Sequence, residues 1–151
     1  MRVIPTDLPG VLRLAPTVHR DARGWFAEAW RRTDYAALGL PAEFVQDNVS
    51  SSARGVLRGL HFQHPRAQGK LVTVLAGEVF DVAVDVRVGS PTFGRWTGAP
   101  LSGETLHQLW IPPGFAHGFC ATSETALFAY KCTDAYDAPS EARNRAAAAM
   151  C

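Results

Sequence analysis

The run Glu78-Val79-Phe80-Asp81-Val82-Ala83-Val84-Asp85-Val86-Arg87 alternates with a period of two. Successive side chains of an extended strand point to opposite faces. Phe80, Val82, Val84 and Val86 therefore share one face, and Val79, Asp81, Ala83 and Asp85 the other. Two readings stand for the second face: a sheet surface open to water, or the polar interior of a barrel. Outward from this run, strands are read over residues 10–14, 44–50, 55–63, 70–76, 93–101, 107–111 and 125–133. In the last of these, Phe128, Tyr130 and Cys132 share a side, with Leu127, Ala129 and Lys131 opposite. Thirteen Gly and ten Pro punctuate the runs with turns. Only residues 31–38 read as helical, before Pro41. Many short strands with one or two short helices predict an all-β fold, a sandwich or barrel of antiparallel strands.

At 151 residues with 47% hydrophobic content, the chain has the material for one packed domain. Fifteen Lys and Arg against fourteen Asp and Glu leave a net charge of +1. That balance supplies no long-range field for nucleic acid or an anionic membrane, so neither partner is expected. An anionic ligand must instead be held by individually placed cations. No apolar stretch approaches the roughly 20 residues of a membrane helix, and the N-terminus lacks a charged-then-apolar leader. A cytoplasmic location is expected. Three scattered cysteines, Cys120, Cys132 and Cys151, do not make a disulfide framework or a zinc ribbon. Cys120 and Cys132 fall in apolar runs, where burial is the ordinary outcome.

Of five histidines, His61 and His117 stand apart, each in a glycine-rich, aromatic setting. Imidazole titrates near neutrality, with a reference pKa of about 6.5, and suits proton abstraction. Arg58 and Lys70 flank His61 in sequence and add to the case for a site there. Strict alternation sets Arg58 and His61 on opposite faces, so both reach one pocket only if the strand bulges, and Gly59 is the place for it. The alternative is that Arg58 supports the fold or a subunit contact.

The element Pro112-Pro113-Gly114-Phe115-Ala116-His117-Gly118 resembles the second half of the cupin signature. The resemblance implies a cupin-like β-barrel, or jelly roll. Cupins often hold a metal through a His-x-His pair, a Glu and this later His. Here His61 and His64 are three apart, so no metal and no cofactor are expected.

The ordered set of segments is similar to a narrower group, the dTDP-4-dehydrorhamnose 3,5-epimerases. Its matching pieces are Asp21–Glu28, Phe44–Asn48, Val56–Gln63, Gln68–Lys70, Gly77–Arg87, Ser90–Gly94, Gln108–Phe119 and Tyr130–Lys131, in the family's order and spacing. They cover roughly residues 1 to 141. The resemblance implies epimerisation at C-3 and C-5 of dTDP-4-dehydro-6-deoxy-D-glucose, in dTDP-L-rhamnose and polysaccharide biosynthesis. It assigns His61 as catalytic base, Tyr130 as the acid on the opposite face of the sugar, and Lys70 to the keto oxygen. Arg23, Glu28, Gln46, Asn48, Arg58 and His117 fall on substrate-binding positions. Tyr136 falls on an aromatic that stacks on thymine, and Glu141 on another nucleotide contact. A homodimer with shared sites is implied as well.

Members of the family usually continue past the position of Glu141 with a Trp-Asn-Asp-type strand and a Lys-Asp pair, whose aspartate orients the catalytic histidine. Residues 142–151 are instead an Ala-rich stretch ending in Cys151, expected to be a short helix or, as the favoured reading, a frayed tail. The chain thus reads as a truncated or divergent member, with its domain over 1–141. Asp81 or Asp85 is the expected substitute for the orienting carboxylate if their face lines the interior. Alternatives are a single-centre epimerase, at C-3 or C-5, of another dTDP-4-keto-deoxysugar, or an impaired nucleotide-sugar-binding cupin.

Overall fold

A computed structural model describes residues 1–143. Its strands are β1 (Arg2–Pro5), β2 (Leu12–Ala15), β3 (Val18–Asp21), β4 (Gly24–Ala27), β5 (Gln46–Ala53), β6 (Leu57–Gln63), β7 (Lys70–Ala76), β8 (Glu78–Asp85), β9 (Trp96–Ser102), β10 (Gln108–Ile111), β11 (Phe115–Ala121), β12 (Thr125–Cys132) and β13 (Glu141–Arg143). One helix, α1 (Arg32–Ala37), and a short 3-10 turn at Ala138–Ser140 complete the described chain. No helix among these residues is long and apolar enough to cross a membrane.

Six strands form one sheet in the order β1-β2-β10-β7-β12-β5, and five form a second in the order β13-β6-β11-β8-β9. All pairings within them are antiparallel. The β3–β4 hairpin stands apart from both sheets. This is the expected all-β, cupin-like barrel.

The alternation of β8 resolves in favour of an interior face. Val79 and Ala83 join the main core with Val72 and Val74 of β7, Leu109 and Ile111 of β10, and Phe119 and Phe128. Asp81 and Asp85 point the same way and are fully buried. Val82, Phe80, Val84 and Val86 pack with Leu60 and Ala116 in a separate apolar cluster on the other face of that sheet. Helix α1 has no side-chain N-cap and is held by packing. Tyr35 is buried against Leu14, Leu71 and Trp110, the outward residues of the six-stranded sheet.

Five strands lie outside the stretches read from the sequence, β1, β3, β4, β11 and β13. Strand β11 is buried at every position and reads Phe-Ala-His-Gly-Phe-Cys-Ala, so it has no polar face to alternate. Strand β13 pairs with β6, Ala142 opposite Phe62 and Arg143 opposite His61, so the boundary expected between 141 and 142 falls inside it. The expected tail from residue 144 onward, Cys151 included, lies outside the described residues.

Candidate active site

The core fills one part of the space between the sheets, and a cavity of about 670 Å³ opens beside it. The two sheets meet at its floor through stacked rings. Phe128 of β12 lies 4.1 Å from Phe119 and 6.0 Å from His117, both on β11. Above this floor β6 supplies one wall and β5, β7 and β12 the other.

On the second wall the pleat selects the lining residues. Tyr130 is opposite Asn48, Cys132 opposite Gln46, and Lys70 opposite Cys132. These five side chains all face the cavity. Lys70 Nζ stands 5.9 Å from the centre of the Tyr130 ring. Burial, more than any other influence, pulls the Lys70 ammonium below its ordinary value, against the opposing pull of Cys132, Asp81 and Glu141. Burial likewise pushes the Tyr130 phenol up, so it stays protonated at neutral pH. The Cys132 thiol is also pushed up by burial.

On the first wall the pleat is broken where the sequence anticipated. His117 pairs with His61 and Phe119 with Arg58, so two residues of β11 span three of β6. Gly59 takes up the extra length at φ +124°, a left-handed region that side chains disfavour. The bulge brings Arg58 and His61 to one cavity. Arg58 reaches across to β5, donating from Nε to Ser52 Oγ at 2.9 Å and from Nη2 to the Ser51 carbonyl at 3.3 Å.

His61 Nδ1 lies 2.9 Å from Glu141 Oε1, and Tyr136 Oη donates to the other oxygen, Glu141 Oε2, at 3.1 Å. The backbone N–H of Tyr136 donates to Gln46 Oε1 at 2.8 Å, and that of Asp137 to Gln63 Oε1 at 3.0 Å. Two glutamine carbonyls thus pin the segment that carries Tyr136 towards the cavity mouth.

The expected substitution of Asp81 or Asp85 for an orienting carboxylate at His61 is not what the structure shows. Asp81 accepts from His117 Nε2 at 2.9 Å, buried beneath the floor, and burial raises its pKa. Asp85 is consumed by Arg87, Ser90 and Thr92. The interior face of β8 was the right place for a carboxylate, but its two carboxylates serve other partners.

Nine of the eleven expected site residues line the one cavity: His61, Tyr130, Lys70, Gln46, Asn48, Arg58, His117, Tyr136 and Glu141. Arg23 and Glu28 do not. Arg23 sits at the turn of the β3–β4 hairpin, in a second cavity of about 490 Å³, paired with Asp21. Glu28 is held by Arg31 Nε at 2.7 Å. Gln63, Phe128 and Cys132 line the main cavity and were not singled out. The alternation of β12, which put Phe128 and Cys132 on the side of Tyr130, was the signal that finds two of them. Among the described residues, no three His, Cys, Asp or Glu side chains group to hold a metal ion.

Known proteins share the sequence and the fold of this chain. The family model described as dTDP-4-dehydrorhamnose 3,5-epimerase matches residues 5–148. A curated dTDP-4-dehydrorhamnose 3,5-epimerase of Shigella flexneri is 56% identical over 138 residues, 90% of this chain and 76% of that protein. One from Neisseria gonorrhoeae is 54% identical over 141 residues, and there the match spans 93% of this chain and 43% of the longer relative. A crystal structure of a dTDP-6-deoxy-D-glucose-3,5-epimerase from Legionella pneumophila, in complex with dTDP-4-keto-L-rhamnose, superposes with a TM-score of 0.92 at 55% identity, covering 94% of this chain and 76% of that one. With the family's model matched along nearly the whole chain and the family's fold reproduced at a TM-score of 0.92, the chain belongs to the dTDP-4-dehydrorhamnose 3,5-epimerase family.

Proposed function

We propose that this chain inverts C-3 and C-5 of dTDP-4-dehydro-6-deoxy-D-glucose without redox chemistry, as an isomerase of dTDP-L-rhamnose biosynthesis. The observation that carries the proposal is the opposition of His61 and Tyr130. One enters the cavity from the five-stranded sheet and the other from the six-stranded sheet, with the Lys70 ammonium beside the phenol.

A C–H bond next to a ketone is acidic only when the enolate it leaves is stabilised. His61 takes the proton from the carbon, and the electron pair moves through C-3–C-4, or C-5–C-4, onto the ketone oxygen. Lys70 stabilises that oxygen by charge and hydrogen bonding in a site partly shielded from water. Burial of the ammonium makes it a better acid and a stronger donor than an exposed lysine. When the enolate collapses, the Tyr130 phenol delivers a proton to the opposite face and the carbon is inverted. The phenolate then takes a proton from water and the imidazolium gives one up, resetting both groups for the second carbon. A general base of this kind contributes about 10²–10⁴-fold. Likeness to 3,5-epimerases supports action at both centres rather than one.

Tyr136 and Glu141 at the mouth are assigned to the nucleotide, Gln46, Asn48 and His117 to the bound sugar nucleotide, and Arg58 to the diphosphate, whose oxygens suit a guanidinium fork. Arg23 and Glu28, remote from this chain's own cavity, are assigned to the site of a second subunit in a homodimer. Support for self-association comes from exposed Trp25, Phe26 and Trp96. We place the enzyme in the cytoplasm, supplying a sugar for polysaccharide synthesis.

The test is deuterium incorporation from solvent at C-3 and C-5 of the substrate. Wild-type protein is expected to label both carbons, and His61→Ala to lose at least about 10²-fold in rate. Equal labelling by both proteins refutes the assignment of the base, and none by the wild type refutes the activity.

A further inference from the structure

We infer that Glu141 is the positioning residue of His61, and that through Tyr136 it ties the base to nucleotide docking. The inference rests on the epimerase reading above. It gives Glu141 a role different from the plain nucleotide contact that the family resemblance assigns.

The geometry is a chain of three side chains. Tyr136 Oη donates to Glu141 Oε2 at 3.1 Å, and Glu141 Oε1 lies 2.9 Å from His61 Nδ1. A carboxylate only accepts, so the Nδ1 it faces must carry the proton. In a neutral imidazole that leaves the lone pair on Nε2, the tautomer a base needs for a proton approaching from the far side of the ring. The Glu141 side chain is itself mostly buried, at 18% exposure against 35% for His61, so its hold on the ring is shielded from water. The imidazolium formed when His61 takes the sugar's proton is stabilised by the same carboxylate.

The backbone explains why a residue so late in the chain can do this. Strand β13 runs antiparallel to β6, with Glu141 opposite Gln63 and Arg143 opposite His61. Glu141 is thus a diagonal neighbour of His61, two residues along the ladder, where long side chains meet. The 3-10 turn before it is closed by Asp137, whose carboxylate accepts from the Ser140 backbone N–H and hydroxyl. Gln63 fixes the front of that turn by accepting from Asp137 N–H. A nucleobase that orders the Tyr136 ring therefore also orders the oxygen pair that faces His61.

The experiment uses Glu141→Ala, Glu141→Gln, Glu141→Asp and Tyr136→Phe in the full chain, with wild type and His61→Ala alongside. Turnover of dTDP-4-dehydro-6-deoxy-D-glucose is measured together with the nitrogen-15 NMR signals of the His61 ring. In Glu141→Ala, kcat is expected to fall about 10- to 100-fold with KM within about threefold, by analogy with metal-ligating histidines that lose an orienting partner. The His61 signals should move from the Nδ1–H to the Nε2–H pattern, and Glu141→Asp should restore part of both. Glu141→Gln keeps the size and the bond from Tyr136, so it serves where the alanine variant folds poorly. It should lose kcat through the missing charge. Tyr136→Phe should bind dTDP as wild type does and lose about threefold in kcat, the loss of one hydrogen bond.

A rise in KM with kcat intact makes Glu141 a nucleotide contact only and overturns the inference. An unchanged His61 tautomer in Glu141→Ala overturns it too, whatever the rate. If wild type fails to label the substrate, the epimerase reading falls, while the tautomer measurement still decides whether Glu141 sets the ring.

Discussion

A Cβ placed on Gly59 would stand 2.5 Å from the Cα of Gly118 and 2.7 Å from the His117 carbonyl oxygen. The two glycines let β6 and β11 close on each other at the bulge, and the bulge turns Arg58 and His61 to the same wall. Backbone, not a flexible side chain, fills the space, so nothing nearby can yield cheaply.

Gly59→Ala is therefore expected to destabilise the fold by about 2 kcal/mol or more, combining a disfavoured φ with overpacking. It should also cost activity beyond what lost folded protein explains, because the variant that does fold must shift His61 relative to Tyr130. Thermal melts paired with specific activity of the folded fraction check this. A variant as stable and active as wild type removes the bulge from the account of the site.

Lys70 sets a pH limit. Its ammonium is lowered by burial, so it gives up its proton before an ordinary lysine, whose pKa is about 10.4. The Tyr130 phenol moves the other way. As pH rises, the charge that stabilises the enolate is lost and kcat should fall along an alkaline limb belonging to Lys70. Lys70→Arg keeps its charge throughout this range. It should lower kcat about tenfold, since the fork cannot reproduce the position of an ammonium. Its alkaline limb should move to higher pH. Profiles of kcat from pH 7 to 11 for the two proteins decide it, and superimposable limbs assign the titration elsewhere.

Much of this site was legible because alternating strands announce which residues share a face. Residues 78–87 and 127–132 showed their period directly, and the second sorted Tyr130 and Cys132 onto one wall. The glycine of Leu57-Arg58-Gly59-Leu60-His61 marked the break in that period. Where every side chain of a strand is buried, as from Phe115 to Ala121, no polar position repeats and the strand is silent. The partner of His61 was illegible for another reason. Glu141 reaches it through β13, a three-residue pairing set by the 3-10 turn before it rather than by any pattern of its own. The partners of Asp81 and Asp85 depend on side-chain direction after folding, which periodicity narrows to a face and no further.

Those two aspartates make the last prediction. They point to the same interior face of β8, both fully buried, yet their carboxyl groups shift in opposite directions. Arg87 donates to Asp85 from its backbone N–H at 3.0 Å and its Nε at 2.9 Å, and the Ser90 and Thr92 hydroxyls each donate at 2.6 Å. The arginine above all, with these hydroxyls, holds Asp85 well below the usual carboxylate range. Asp81 has His117 as its partner, and burial outweighs that contact and raises it. The signs follow from linkage. Asp85 is ionised in the fold at a pH where the unfolded chain, with a pKa near 3.9, would bind a proton. Its stabilisation is complete well above that value and declines progressively as pH falls from about 5 towards its lowered folded value. Asp81 binds its proton more tightly in the fold, so its contribution is greatest in acid and is lost as pH rises from about 4 through its raised folded value. Asp85→Asn should therefore cost about 2 kcal/mol at pH 7, the order of losing hydrogen bonds to a charged group whose arginine partner is half exposed, and less at pH 4. Asp81→Asn should cost most at pH 4 and less towards neutrality. Urea unfolding of both variants and wild type at pH 4, 5.5 and 7 measures the two slopes. If they share a sign, the two carboxylates do not differ in the way their partners imply.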